Sequence, residues 1–203
     1  MARPLSPKLS PVIIAEAALA MVDAQGEFTL PALAKRLRVS PSSLYNHISG
    51  KSDIIELMRG QAVAAVDLAG ATEGEPHWAL AIRNIAVQYR NSYSRHPRLI
   101  PLLTAYSVRD ETTIGMYNVL AERFAQAGFG PRRILEAITV LDNYVLGSAL
   151  DVAAPEEVWD PGAGASASLR AALDAGLGRE HRADEAFLFG LDLIMAGLER
   201  AAA

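Results

Sequence analysis

Residues 29–51 read Thr-Leu-Pro-Ala-Leu-Ala-Lys-Arg-Leu-Arg-Val-Ser-Pro-Ser-Ser-Leu-Tyr-Asn-His-Ile-Ser-Gly-Lys. The spacing predicts a helix, a tight turn and a second short helix with a polar, nearly uncharged outer face. Thr29 is a good N-cap, since its hydroxyl accepts from an otherwise orphaned backbone N–H. Leu30, Leu33, Ala34 and Leu37 recur at i, i+3, i+4, i+7 and form one buried stripe, with Lys35 and Arg36 off it. Arg38-Val39-Ser40 makes the connection. Ser40 is a second N-cap, and Pro41 sits at the first helical position, where its missing N–H costs nothing. In the second helix Leu44 and Ile48 point inward. At about 100° per residue, Ser42 and Asn46 then point outward, flanked by Ser43 and Tyr45, with His47 at the edge. Ser49-Gly50 ends this helix, and Ser52 is expected to cap the next one, with Asp53 suiting its positive end.

Such a ridge suits a helix laid in the DNA major groove. Ser, Asn, Tyr and His exchange hydrogen bonds with base edges at short reach. Backbone N–H groups at the Ser40–Ser43 helix start, with Thr29, Tyr45 and Lys51, suit phosphates. The same pattern also describes a surface helix of a bundle that is polar because it is wet.

Leu44-Tyr45-Asn46-His47-Ile48-Ser49-Gly50-Lys51, preceded by Ala34-Lys35-Arg36-Leu37-Arg38-Val39-Ser40, resembles the N-terminal DNA-binding domain of the tetracycline-repressor (TetR) family. That resemblance covers roughly residues 10 to 60. A weaker one runs from Trp78 through Ala127-Gly128-Phe129 to Val145-Leu146-Gly147-Ser148-Ala149-Leu150-Asp151 and is similar to the tetracycline-repressor subgroup itself. It implies an all-α chain: a three-helix helix-turn-helix domain over residues 1–55 and a helical ligand-binding and dimerisation domain over 56–203. It does not imply the drug. The family's magnesium-side histidine falls near Leu103 or Thr104, its histidine at the foot of the fourth helix becomes Asp67, and its pocket phenylalanine becomes Tyr89. Asp151 matches the acidic residue supplied across the dimer. The basic residue early in the second helix becomes Pro31, so the operator should differ too. Magnesium–tetracycline is therefore not the expected inducer.

Charge fits this division. The net charge is −4 over 203 residues. Residues 1–59 hold seven Lys and Arg against five Asp and Glu, or +2, and residues 60–203 hold twelve against eighteen, or −6. Positive charge is thus concentrated where phosphate would be met. A head so weakly basic implies that tight binding needs two copies. The 51% hydrophobic content supports a large core, and the absence of cysteine excludes disulfides, zinc fingers and thiol chemistry. A reducing cytoplasm is the expected location.

Arg3 and Lys8 before Val12-Ile13-Ile14-Ala15 vaguely imitate a secretory signal, but Glu16 interrupts the apolar run. Ile14, Ala17, Ala18, Met21 and Val22 instead describe an amphipathic first helix between Ser10-Pro11 and Gly26. Arg3 and Lys8 form either a loose arm over DNA or an unstructured start. No apolar run approaches the about 18 residues needed to span a membrane.

Further helices are expected from about Ser52 to Ala69, from Trp78 to His96, around Leu99–Ala105, from Glu111 to Ala127, from about Pro131 to Val152, around Leu169–Leu177 and from Asp184 to Arg200. Residues 155–164 form a Pro- and Gly-rich loop carrying Trp159, which either folds over a pocket mouth or meets a neighbouring subunit. The last helix is apolar on two faces, one through Phe187, Leu191, Ile194 and Leu198, the other through Ala186, Gly190, Leu193 and Gly197. Burial on both sides implies a second subunit. Ile138, Leu146, Phe187, Gly190, Leu191 and Ile194 are the expected dimer contacts, in a four-helix interface as in the resembled family. Trp78, Tyr89, Tyr93, Leu103, Tyr106, Met116, Phe124 and Tyr144 are the candidate lining of an effector cavity, or plain core. Asn84, Gln88, Asn118, Asp142 and Asn143 are candidate polar contacts within it.

No cofactor, metal or catalytic residue is expected. His47, His77, His96 and His181 show no metal spacing, and Gly-x-Ser-x-Gly, phosphate loop and Glu-x-x-His motifs are missing from the sequence. Two readings remain. One is a repressor that binds a palindromic double-stranded operator as a homodimer and is released by an unidentified small-molecule effector. The other is a helical small-molecule-binding or adaptor protein whose helix-turn-helix is structural.

Overall fold

A computed structural model describes residues 9–71, 77–155, 158–176 and 181–202. Arg3, Lys8, residues 72–76 and Leu177 lie outside them. All regular structure in the described residues is helical.

The first four helices form one small cluster. α1 (Pro11–Gln25) starts where the Ser10 side chain accepts from the Ile13 N–H and stops at Gly26, whose φ of 82° suits glycine. α2 (Leu30–Leu37) is capped by Thr29, which accepts from Ala32 N at 3.3 Å. α3 (Pro41–Tyr45) is one turn shorter than the sequence reading, because the chain leaves the helix at Asn46 and turns through His47. α4 (Lys51–Val63) begins one residue earlier than expected. Ser52 does not cap it. Instead Asp53 reaches back and accepts the Ser49 N–H at 2.7 Å, a bond that holds its carboxyl below the usual value. Ile14, Val22, Leu33, Leu44, Ile54 and Met58 close the core of this cluster. Phe28 joins them at the α1–α2 corner, fully buried.

α4 also ends earlier than the sequence suggests, at Val63 rather than near Ala69. The Asp67 N–H donates to the Gln88 side chain, and its carboxylate accepts from Gly70 N, which starts a separate helical turn at residues 68–71.

α5 (Trp78–Ser94) is the axis of the body. It packs on α4, on α7 (Glu111–Gln126), on α8 (Pro131–Asp151) and on α10 (Arg182–Ala202). A 3-10 turn at Pro97–Leu99 and the short α6 (Ile100–Leu103) carry the chain back under α4. α9 (Ala167–Ala175) buries none of its residues.

Arg38 is the one non-glycine in the left-handed region among the described residues, at φ 56°. Its N–H closes the end of α2 by donating to Lys35 O. A side chain there costs roughly 1 kcal/mol relative to glycine. Arg38→Gly is expected to raise the melting midpoint by about 2–4 °C, measured by thermal denaturation. An unchanged or lower midpoint would mean that the arginine side chain itself stabilises the turn.

Candidate nucleic-acid interface and effector cavity

Leu44 is fully buried and Ile48 nearly so, and these two anchor the α3 ridge from beneath. Thr29, Ser40, Ser42, Tyr45, Asn46, His47 and Lys51 are exposed, and Ser43 is half-buried. Tyr45 stands out at 55% exposure with no core role. Ser40 Oγ accepts from Ser43 N at 3.2 Å and lies 2.8 Å from both the Ser42 and Ser43 hydroxyls. These three serines thus hold one another at the helix start, leaving Tyr45, Asn46 and His47 as the outward groups. Lys51 Nζ rests 5.1 Å above the Phe28 ring, which positions the ammonium beside the ridge.

Behind the ridge, α4 meets the loop between α6 and α7 through a buried polar joint. Glu56 Oε1 accepts from Arg59 Nε at 2.9 Å, and Glu56 Oε2 accepts the backbone N–H groups of Arg109 and Asp110 at 2.6 and 3.0 Å. Arg59 Nη2 donates to the carbonyls of Leu103 and Tyr106, both at 3.2 Å. Asp110 caps α7 by accepting from Thr113, and a Cβ at Gly60 would collide with its carboxylate. Burial pushes the Glu56 carboxyl up, but the donors from Arg109, Arg59 and Asp110 outweigh it and leave it below the usual range. Sequence reading missed this joint. Its only linear trace is a Glu–Arg pair at i, i+3 inside an otherwise apolar helix.

The candidate effector residues divide. Tyr89 lines a small cavity between α5, α7 and α8, together with Ile85, Tyr117, Leu141, Asp142 and Val145. Its volume is about 10 Å³, space for roughly one water. Tyr93 is fully buried and packs edge-on against Tyr89. Trp78 and Phe124 instead join Phe129 in a separate aromatic cluster. Leu103 and Met116 are ordinary core, and Tyr106 is half-buried with its carbonyl on Arg59. Asn84 does not face the cavity. It is exposed in an outer groove beside Asp67 and Arg83, because its position on α5 points away from α7 and α8. Tyr144 is likewise diverted: it stacks on Phe187 and donates to the carbonyls of Ala186 and Phe187 on α10. Trp159 lies under the Arg182 guanidinium in a groove beside α9 and does not reach the cavity.

The family model described as Tetracyclin repressor-like, C-terminal domain, matches residues 71–202. The chain belongs to the tetracycline-repressor family. An HTH-type transcriptional regulator of Saccharopolyspora erythraea is 28% identical over 155 residues, 75% of this chain and 63% of that protein. HTH-type transcriptional repressor DrrR1 of Streptomyces coeruleorubidus is 27% identical over 139 residues, 67% of this chain and 51% of that protein. The chain thus spans less than two thirds of the length of either relative. The TetR family protein ActR of Streptomyces coelicolor, crystallised with (S)-DNPA, has the same fold: TM-score 0.77 at 20% identity, covering 96% of this chain and 99% of ActR.

Within one protomer the dimer candidates divide by burial. Phe187 and Leu191 are buried in the protomer's own core. Gly190 is small because Tyr144 of the same chain occupies the space a Cβ would take. Ile138 faces inward and lines the α5–α7–α8 cavity, and Leu146 and Ile194 are half-buried against the core. The apolar residues left outside are Leu135, Val140 and Leu150 on α8 and Leu188, Phe189 and Leu193 on α10. A period count finds that a helix is apolar on two sides. It does not tell which side its own chain covers. Asp151 is held by Arg182 of the same chain at 2.8 Å. Among the described residues no group of three His, Cys, Asp or Glu is placed to hold a metal ion, and no helix is long and apolar enough to cross a membrane.

Proposed function

We propose that the chain is a transcriptional repressor that binds a palindromic operator as a homodimer in the cytoplasm and is released by a small molecule. Residues 1–55 form the reading head and 56–203 the effector and dimer domain. The observation that carries this reading is the exposed Tyr45–His47 ridge, anchored from beneath by Leu44 and Ile48. Nothing in the fold requires a tyrosine there, whereas a base edge would use it.

The outward apolar residues of α8 and α10 support the homodimer. Phe189 is 69% exposed and Leu193 59%. Covering such a strip with a second copy removes it from water and sets two heads at a fixed spacing. The second head then binds intramolecularly, which compensates for a weakly basic surface. The Glu56–Arg59 joint supplies the coupling. The loop entering α7 is held by the same helix whose start abuts the ridge, so a displaced α7 changes head spacing.

Titration of the full chain with duplex DNA carrying a palindromic site tests the reading. Affinity should fall with log salt at roughly one unit of slope per phosphate contacted. Binding without salt dependence, or none at low salt, would favour the adaptor reading instead.

A further inference from the structure

Asp142 is an unusual group to find at the α5–α7–α8 cavity. Tyr89 and Tyr117 each donate their hydroxyl to its Oδ1, at 2.9 and 2.8 Å. Oδ2 receives no donor among the described residues, and none of their ion pairs involves Asp142. The remaining walls are aliphatic, with Ile85, Leu141 and Val145 among them. Burial first, and then the Asp142 charge, push both phenols well above their usual range, so they stay protonated donors. Both partners of Asp142 are neutral hydroxyl donors, so no cation meets it among the described residues. A half-buried carboxyl among aliphatic walls, met only by neutral donors, favours a guest that brings a cation.

We propose that the effector is an organic cation, a protonated amine on an apolar ring body, paired with Asp142. This rests on the effector-responsive reading above and names the chemistry of that same site. The cavity has a volume of about 10 Å³, room for roughly one water, so the guest must part α7 from α8. Its ammonium then replaces Tyr117 as the donor to the carboxylate, while Tyr89 stays on α5. The displaced α7 begins at Glu111, next to Asp110, whose N–H is held by Glu56 of α4. Amine entry and loosening of the head are thereby one movement.

Calorimetric titration of the full chain with naphthylmethylamine, naphthylmethanol and naphthoate at neutral pH tests this. The amine is expected to bind about tenfold tighter than the alcohol, because a charged hydrogen bond is the stronger one, and naphthoate weakest of the three. Asp142→Asn should bring the amine down to the level of the alcohol. Tyr117→Phe removes the competing donor and should widen the amine's advantage, which decides the matter if Asp142→Asn does not fold. Equal affinity for amine and alcohol, no binding of the amine, or an amine preference that survives Asp142→Asn would overturn the proposal and leave the cluster as a tie between three helices. No DNA is present in this titration. Loss of amine selectivity therefore leaves the DNA-binding reading standing, and failure of salt-dependent duplex binding is read separately.

Discussion

Replacing Glu56 with alanine lowers the unfolding free energy by about 3–5 kcal/mol, the range for removing one partner of a buried ion pair. Its side chain is only 9% exposed and that of Arg59 6%. The substitution leaves the Arg59 guanidinium with only the Leu103 and Tyr106 carbonyls and leaves the Arg109 and Asp110 N–H groups without their acceptor. Urea denaturation measures the loss. Glu136→Ala is the contrast: its partners Arg132 and Arg133 are 93% and 76% exposed, and its loss is expected to stay under about 0.5 kcal/mol. Similar losses for the two variants would show that the joint carries no special weight. The effect has a pH signature. The Glu56 carboxyl lies below its usual range in the fold, so the ionised form favours the folded state. That stability is present above the ordinary carboxylate value and is lost as pH falls through the lowered one. The advantage of the wild type over Glu56→Gln should therefore shrink as pH falls below the ordinary carboxylate value. A gap independent of pH would argue against an ionised Glu56.

Combining Tyr45→Ala with Lys51→Ala removes operator binding while the fold survives. A bidentate base contact is worth about 1–3 kcal/mol, and a single tyrosine hydroxyl about 1 kcal/mol, the low end. It occurs once in each half-site, so losing both Tyr45 contacts weakens a dimer by roughly thirtyfold. Lys51→Ala alone should lower the salt slope by about two units per dimer, one phosphate per head. Neither residue supports the core. Tyr45 is 55% exposed, and Lys51 forfeits only its contact with the Phe28 ring. Circular dichroism should therefore be unchanged. A double variant that still binds the duplex with wild-type affinity would place the reading surface elsewhere.

The helix-turn-helix was legible in the sequence because its signals are local. Ser10, Thr29 and Ser40 cap helices within three residues of themselves, and Leu33 and Leu44 declare the inward side. The end of α3 is less sharp than its period suggests: Asn46 and His47 form a turn, while the Ile48 N–H still donates to Leu44 O at 3.1 Å. The left-handed Arg38 left no trace, since neither glycine nor asparagine marks it. In the body, helix positions were readable and helix neighbours were not. Asn84 and Tyr144 sit on helices that do converge, but each points to a different partner from the one expected.

Local chemistry within a few residues determined the all-helical order of the chain, the polar ridge and the split of charge between its two ends. Only the folded arrangement decided that Phe187 and Leu191 belong to one protomer's interior, that Glu56 holds a loop some fifty positions away, and that Asp142 meets two tyrosines from separate helices. Periodicity along one helix specifies which residues share a face. What that face meets depends on how distant segments pack, and adjacent residues carry no record of it.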